Sequence, residues 1–488
     1  MNTLKYITLL VLLLTLPLFG TIPNTSVWEV RPGVGSDTNG GGFDSTGTGT
    51  DMSQFNNKNA AACTNCQSAT INISTTDAVA VGTTTITSAT GNFSTALTGN
   101  LVFFTGGTGS IASQWRRATF VSSTSFTIDA SIAASTGMTM NIGGALNSLT
   151  QLSTNLQLVG GQQAYVKATG TISTSSALSV TTQNGATNQL TTVAGYTTTR
   201  TDGGQVTIQA TGGNITLFTW SSGANSGARI ANFIINCNSQ TNISGFNFSG
   251  AFISAENILV ENCTNSFGFQ FNNVDQICIR CYVTGQTAGS PFLFTANRSQ
   301  FCTFCVGYSN TTTSSIFNFG SAEGACTVCI AANNSNATAD GFLFANSSGS
   351  MILQWGVGYK NGRDGLRTAL GTTASYVRNS VFWGNTGFAI NCSGCSTAQL
   401  GGNMDYNAYV SGGLNNIPAG AHDQTLTVDP FVNGTSNNFS PNNTAGGGAL
   451  LRGNGFPGVL LTGGTGFATI GALAAALGGG AVGFPIIQ

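Results

Sequence analysis

The chain has 488 residues, of which only 6% are Asp, Glu, Lys or Arg, against roughly 25% in an average soluble domain. Thr, Ser, Asn and 66 Gly fill the deficit while 41% of residues remain hydrophobic; this excludes a disordered chain, whose signature is low hydrophobicity with high net charge. With 15 basic and 16 acidic residues, no electrostatic footprint for nucleic acid or an anionic membrane is visible.

Residues 1–20 read as an export signal: Lys5 precedes a predominantly apolar run from Ile7 to Phe19, and Gly20 and Thr21 offer small residues near a cleavage point. The run is short for a membrane span, and an uncleaved anchor is the rival reading. Export implies a secreted or cell-surface protein in oxidising conditions, where the twelve cysteines can pair. No transmembrane segment is expected after signal removal; Gly464 to Phe484 is apolar but interrupted by glycines. Residues 21–66, which carry VWEVRPGVGSDTNGGGF, are expected to form an N-terminal capping segment. Residues 67–148 contain alternating runs such as LVFFTG and SFTIDA and predict a small β domain.

From 149 to 430 the chain repeats itself. A short motif recurs as GFNF at Gly245, GFQF at Gly268, PFLF at Pro291, IFNF at Ile316, GFLF at Gly341, GLRT at Gly365 and GFAI at Gly387. Its second position falls at Phe246, Phe269, Phe292, Phe317, Phe342, Leu366 and Phe388, a nearly constant interval. A second register advances with it through Cys237, Cys263, Cys281, Cys305, Cys329, Gly356 and Ser380. Such periodicity is the signature of a solenoid. The units are too rich in Thr, Ser, Asn, Gly and β-branched residues for paired helices. Short apolar runs bounded by Asn, Gly and Ser suit short strands joined by turns. The fold class is therefore all-β: a parallel β-helix with rungs of about 22–25 residues and a small N-terminal β domain; the right hand of the helix is what the resemblance given below implies. Successive rungs should stack about 4.8 Å apart, Phe over Phe and Cys over Cys. Residues 431–488 are expected to form a Gly-rich C-terminal cap, lying along the last coil from Gly446 with a short helix near Ala472 to Leu477.

Five Cys-x-x-Cys pairs occur: Cys63/Cys66, Cys278/Cys281, Cys302/Cys305, Cys326/Cys329 and Cys392/Cys395. The middle three follow one another at a spacing that also suits zinc. Because it coincides with the rung period, a structural ladder of buried cysteines is the reading adopted, with no metal and no cofactor. Disulfides within or between rungs remain the alternative.

Asp340 and Asp364 precede equivalent motifs and should stack on adjacent rungs, about 5 Å apart, the separation of the carboxyl groups in a retaining glycosidase. Arg363 and Arg367 flank Asp364, and Lys360 lies nearby. These four residues, Asp340, Asp364, Arg363 and Arg367, are the catalytic candidates; the competing reading makes each Asp a turn residue that bonds backbone. Tyr308, Tyr359 and Trp383 occupy equivalent places in three rungs and, with Lys360, are the binding candidates, either an exposed ladder for sugar rings or ordinary core. The single histidine, His422, stands beside Asp423 in AGAHDQT and is a weak catalytic signal.

The rungs resemble right-handed parallel β-helix repeats of the pectate-lyase-like and tailspike-like superfamily, exported bacterial type, over about 150–450. The end of the repeat is similar to that group too, in NMDYNAYVSGG from Asn403 and TVDPFVNGTSNNFSPNN from Thr427. The resemblance implies a fold that hosts lyases, hydrolases, adhesins and phage fibres alike. The Gly-His-Gly and paired-Asp signatures of polygalacturonase-like members are absent. The reading adopted is an exported, non-catalytic surface or fibre-like protein that binds an extracellular or cell-surface polysaccharide or mediates attachment, with a homo-oligomer left open. The alternative is an exported polysaccharide lyase or glycoside hydrolase with its site on the β-helix face.

Overall fold

The computed structural model describes residues 23–56, 74–154, 158–182, 190–222, 227–296, 299–320, 323–345, 351–368, 375–392 and 404–456. The signal segment, Cys63, Cys66, Cys395 and the helix expected near residue 472 lie outside these. The chain divides into two compact units, residues 1–151 with 162–165, and residues 152–161 with 166–488.

The first unit contains a closed antiparallel barrel of six strands: Ser74–Ala80, Thr85–Thr87, Leu101–Gly106, Ile111–Ser122, Ser125–Ile128 and Ser135–Ile142. The alternation seen in its sequence has a physical outcome, since Val102, Phe104, Phe126, Met138 and Met140 point inward and are buried. Closure removes the free strand edges. The preceding strand Ser26–Val30 pairs antiparallel with Gly42–Asp44, and the buried Glu29 carboxylate meets Arg31 Nε at 2.9 Å.

The second unit is a parallel β-helix. One face is a ten-stranded sheet that includes Ser244–Phe248, Phe267–Phe271, Ser290–Phe294, Phe317–Phe319, Phe342–Phe344, Leu366–Thr368 and Ile390–Cys392. Every ladder along this run is parallel. The rest of each coil is a bent strand, continuous in Ala228–Asn236, Ile253–Glu261 and Gln276–Thr284 and split from the next coil on, as in Gln300–Thr303 and Val306–Tyr308. The bend is made by one residue per coil in the left-handed region: Asn232, Asn257, Arg280, Phe304, Val328, Trp355, Asn379 and Tyr406. The outcome is three strands per coil, as the rung length implies.

The interior follows the repeat. Phe246, Phe269, Phe292, Phe317 and Phe342 are consecutive register partners, all fully buried. Phe292 and Phe317 stack at 4.5 Å between centroids, and the parallel column of Phe294 and Phe319 at 4.2 Å. Such pairs contribute about 0.5–1.5 kcal/mol beyond burial of area. The column continues through Leu366 to Ile390, not to Phe388. Phe388 is 37% exposed because it follows Asp340 and Asp364 at their own interval, in the turn before the strand. The expected alignment of Cys237 and Cys263 with Cys281 is also corrected. Cys281 pairs in register with Ile258 and Ile258 with Phe233, whereas Cys237 and Cys263 follow the ends of their strands and are joined by a disulfide between coils.

Candidate functional site

The carboxylates come first, because the repeat places them in the turn entering the Phe sheet. Asp340 and Asp364 are both buried. Asp340 accepts from Arg363 Nε at 2.6 Å and Nη2 at 2.5 Å, from the Ser315 hydroxyl at 3.2 Å and from the Asp364 backbone N–H at 3.3 Å. The Asp340 carboxylate in turn holds the Arg363 guanidinium above its ordinary pKa, mainly through these hydrogen bonds. Asp364 accepts from the Phe388 N–H at 2.7 Å and from Asn391 Nδ2 at 2.7 Å. Each carboxylate thus staples its own coil to the next. The repeat brings Asp340, Asp364 and Arg363 together; Arg367 lies one strand position further on, facing outward between Leu343 and Asn391.

The aromatic series is in register: Tyr308 pairs with Ala332, Ala332 with Tyr359 and Tyr359 with Trp383. These residues belong to the outer face of their sheet, but that face is covered. Residues 427–456 run back as a strap, in which Phe431–Asn433 pairs antiparallel with Asn438–Pro441. Phe431 and Phe439 meet the Tyr359 ring edge-on at 5.6 and 5.5 Å, and the Tyr359 hydroxyl donates to Asp429 at 2.8 Å. Burial, and then the Asp429 carboxylate, push the Tyr359 phenol well above its ordinary pKa. Tyr359 is 1% exposed, while Tyr308 and Trp383 are half-buried at the edges of the same cluster. Lys360 is exposed at the adjacent corner, its Nζ 5.2 Å from the Tyr359 ring. The described part of the tail lies along the flank of the solenoid, reaching Asn333 through Asn437 and Asn379 through Phe456, with Leu451 in the same cluster as Leu426.

The cysteines form two interior lines. Cys278, Cys302 and Cys326 are register partners, and Cys281, Cys305 and Cys329 follow across the corner. Disulfides close Cys278–Cys281 and Cys326–Cys329, and Cys302 and Cys305 are buried thiols. The sulfurs of Cys278, Cys281 and Cys305 lie within 4.8 Å of one another, but the first two are bonded together, which withdraws the thiolates a metal would require.

A different surface gathers outward-facing side chains that the sequence analysis does not single out. The residues flanking the inward line of Cys278, Cys302, Cys326, Leu353 and Val377 point outward, so Ile277, Phe301, Ala325, Ile352 and Tyr376 form one outer column. Ile277, Phe301, Ile352 and Tyr376 are each 37–38% exposed. The parallel column Ile279, Thr303, Thr327, Gln354, Arg378 and Asp405 is increasingly polar toward the C-terminal end. Between the columns lies a groove of about 230 Å3 lined by Ile352, Leu353, Gln354, Tyr376 and Arg378. The Arg378 guanidinium sits 5.8 Å from the Tyr376 ring and 5.0 Å from that of Phe456. Phe456 meets Tyr406, and Tyr406 stacks on His422 at 4.4 Å. The His422 partner is Asp405 rather than its neighbour Asp423: Nδ1 lies 2.8 Å from Asp405 Oδ2, and the backbone N–H donates to Oδ1 at 2.8 Å. Burial alone would raise the Asp405 pKa, but the hydrogen bonds from His422 and Tyr406 hold it below the ordinary carboxylate range. Asp423 instead accepts from the Tyr409 hydroxyl. The signal was present in the alternation, which assigns Phe301 outward once Cys302 is assigned inward, and Tyr376 outward beside Val377, which follows in the same line.

The fold and this surface define the class: a parallel β-helix protein with an outward-facing groove of aromatic and polar side chains. No protein-family model and no curated protein matches the chain. Among solved structures it is similar to pectate lyase Pel9A at 11% identity and a TM-score of 0.41, covering 68% of this chain and 91% of that one. It is also similar to ORF18 of Geobacillus virus E2 (13% identity, TM-score 0.35, 53% and 52% covered). A third is the A-module of the Azotobacter vinelandii mannuronan C-5 epimerase AlgE4 (14%, TM-score 0.31, 54% and 81%). The fold assignment rests on the strand register above.

Proposed function

We propose that the chain is an exported surface protein that binds a polysaccharide along the outer columns of its β-helix, with Tyr376, Arg378, Gln354 and Ile352 at the centre of the binding groove. One observation carries this reading. A ladder of exposed apolar and aromatic side chains runs beside a ladder of hydrogen-bonding ones on a nearly uncharged solenoid. Sugar rings present an apolar face and an equatorial rim of hydroxyls, so the first ladder suits the ring and the second the rim; aromatic and Arg side chains are the usual anchors of such contacts. The strand spacing of about 4.8 Å sets the repeat of both ladders, and an extended glycan lies along them rather than across. Tyr308, Tyr359, Trp383 and Lys360 serve the strap on this reading, and Asp340, Asp364 and Arg363 serve the turns.

The test is a polysaccharide panel scored for binding and for depolymerisation. Binding that weakens about tenfold, 1.4 kcal/mol, with Tyr376→Ala and with Arg378→Ala, but not with Lys360→Ala, is the expected result. Unchanged binding in both groove variants removes the reading. A second reading has one observation in its favour: Asp405 orients His422, whose ring is 56% exposed at the side chain, as a carboxylate orients a general base. Cleavage of any glycan by wild type and its loss in His422→Ala would establish a lyase or hydrolase there, and loss in Asp364→Asn would place it in the turn.

A further inference from the structure

Every coil of the bent sheet must pass one residue through the left-handed region, which disfavours any residue with a branched or bulky side chain. Three corners use Asn, the residue that tolerates it: Asn232, Asn257 and Asn379. Two of these form a side-chain ladder, Asn257 Nδ2 donating to Asn232 Oδ1 at 2.9 Å and Asn232 Nδ2 to the Gly195 carbonyl at 3.1 Å. The corners at Arg280, Phe304 and Val328 have no such side chain, and Val328 is β-branched. All three are the corners bracketed by Cys-x-x-Cys. Disulfides close two of them, Cys278–Cys281 with 6.0 Å between α-carbons and Cys326–Cys329 with 5.8 Å. Cys302 and Cys305 occupy the same register positions in the coil between. The Cys305 sulfur lies 3.4 Å from the Cys278 carbonyl and 3.6 Å from that of Thr303, as the Cys329 sulfur lies 3.8 Å from the Cys302 carbonyl and 3.9 Å from that of Thr327. Trp355 and Tyr406 reach the same backbone region under different cover, Trp355 in the cluster beneath the strap and Tyr406 stacked on His422.

We infer that Cys302 and Cys305 are a third site of oxidation, so that three stacked corner disulfides replace the asparagine ladder over three consecutive coils. The step balances as dithiol–disulfide exchange with a disulfide oxidant. Each thiol loses its proton, two electrons pass to the oxidant's sulfur–sulfur bond, the Cys302–Cys305 bond forms, and the oxidant leaves as two thiols. Burial pushes the Cys302 thiol well above its ordinary value, and a protonated buried thiol is inert. The bond therefore closes during folding, before the neighbouring coils cover it.

The experiment refolds the full chain in a buffer of oxidised and reduced glutathione, quenches with acid, and alkylates in denaturant without reductant. Cleavage after Arg298 and Glu323 releases a peptide that holds Cys302 and Cys305 and no other cysteine. The expected peptide is unlabelled and lighter by two hydrogens than its dithiol. Two alkyl labels on it, or a cross-link to the peptide of Cys281, overturn the proposal. A second arm asks what the bond is for. Cys302→Ser with Cys305→Ser should lower the midpoint of thermal unfolding by several degrees, and adding Phe304→Asn should recover most of the loss. Absence of recovery overturns the corner role even where the bond is found.

Discussion

Two neighbouring outer faces of one solenoid carry much the same kind of side chain and meet opposite fates. The face of Val306, Ile330, Val357, Tyr359 and Val381 is sealed by the strap, whose Phe431, Phe439 and Leu451 complete a buried cluster. The face of Ile277, Phe301, Ile352 and Tyr376 has no such cover among the described residues and remains more than a third exposed. Folded monomers seldom leave contiguous apolar surface open without a use for it. The comparison teaches that in a β-helix the inner columns are set by the repeat, whereas an outer column becomes core or binding surface according to whether some distant segment returns to it.

The comparison breaks most easily at the strap. Tyr359→Ala removes two edge-on ring contacts and the hydrogen bond to Asp429. It should cost roughly 3–5 kcal/mol, the range for large-to-small core substitution, measured by denaturant unfolding. Limited proteolysis should then cut the strap between 427 and 456 before the solenoid; unchanged stability would mean that the strap contributes nothing there. Asp364→Ala sharpens the view of the turns, because it removes the buried acceptor of the part-buried Phe388 N–H and Asn391 amide. A loss of roughly 1–3 kcal/mol is expected, with glycan binding by the folded fraction unaltered. On the open face, Tyr376→Ala should leave stability within about 0.5 kcal/mol while weakening glycan binding about tenfold; a large stability loss would show that this face, too, is core.

The smallest expected effect is that of pH at the end of the open face. Asp405 titrates below the ordinary carboxylate range in the folded chain, so it binds protons less readily than in the unfolded chain. Its stabilising contribution is fully present above the ordinary carboxylate value of about 3.9 and is lost as the pH falls through the depressed folded value. Asp405→Asn should therefore flatten the acid limb of the stability profile, read as thermal midpoint against pH. An unchanged limb would assign acid sensitivity elsewhere.

Much of this molecule was legible in advance, and the misreadings are instructive. The Phe column was readable because an interior position admits few residue types and recurs once in every coil. Phe388 falls outside the column because residue type and interval disagree there: Leu366 to Ile390 and Asp364 to Phe388 are equal steps along the chain. The pairing of His422 was missed because adjacency favoured Asp423, whereas Asp405 stands 17 positions away. The groove was not legible because its residues flank Leu353 and Val377, where the cysteine series has already ended, and the outward positions vary from coil to coil.

The amino-acid order alone sufficed for the coil length, the three strands per coil, the stacking of Phe292 on Phe317 and of Cys278 on Cys302, and the alternation of the small barrel. All of these follow from local periodicity, in which each residue's environment is dictated by neighbours one coil or two positions away. What only the folded chain decided was the fate of the outer faces. Tyr359 is core because Asp429, 70 residues downstream, returns to accept its hydrogen bond, whereas Tyr376 stays 38% exposed, with Phe456 reaching only its neighbour Arg378. No period in the sequence encodes that return, since the strap occurs once and its position depends on the whole stack having formed beneath it.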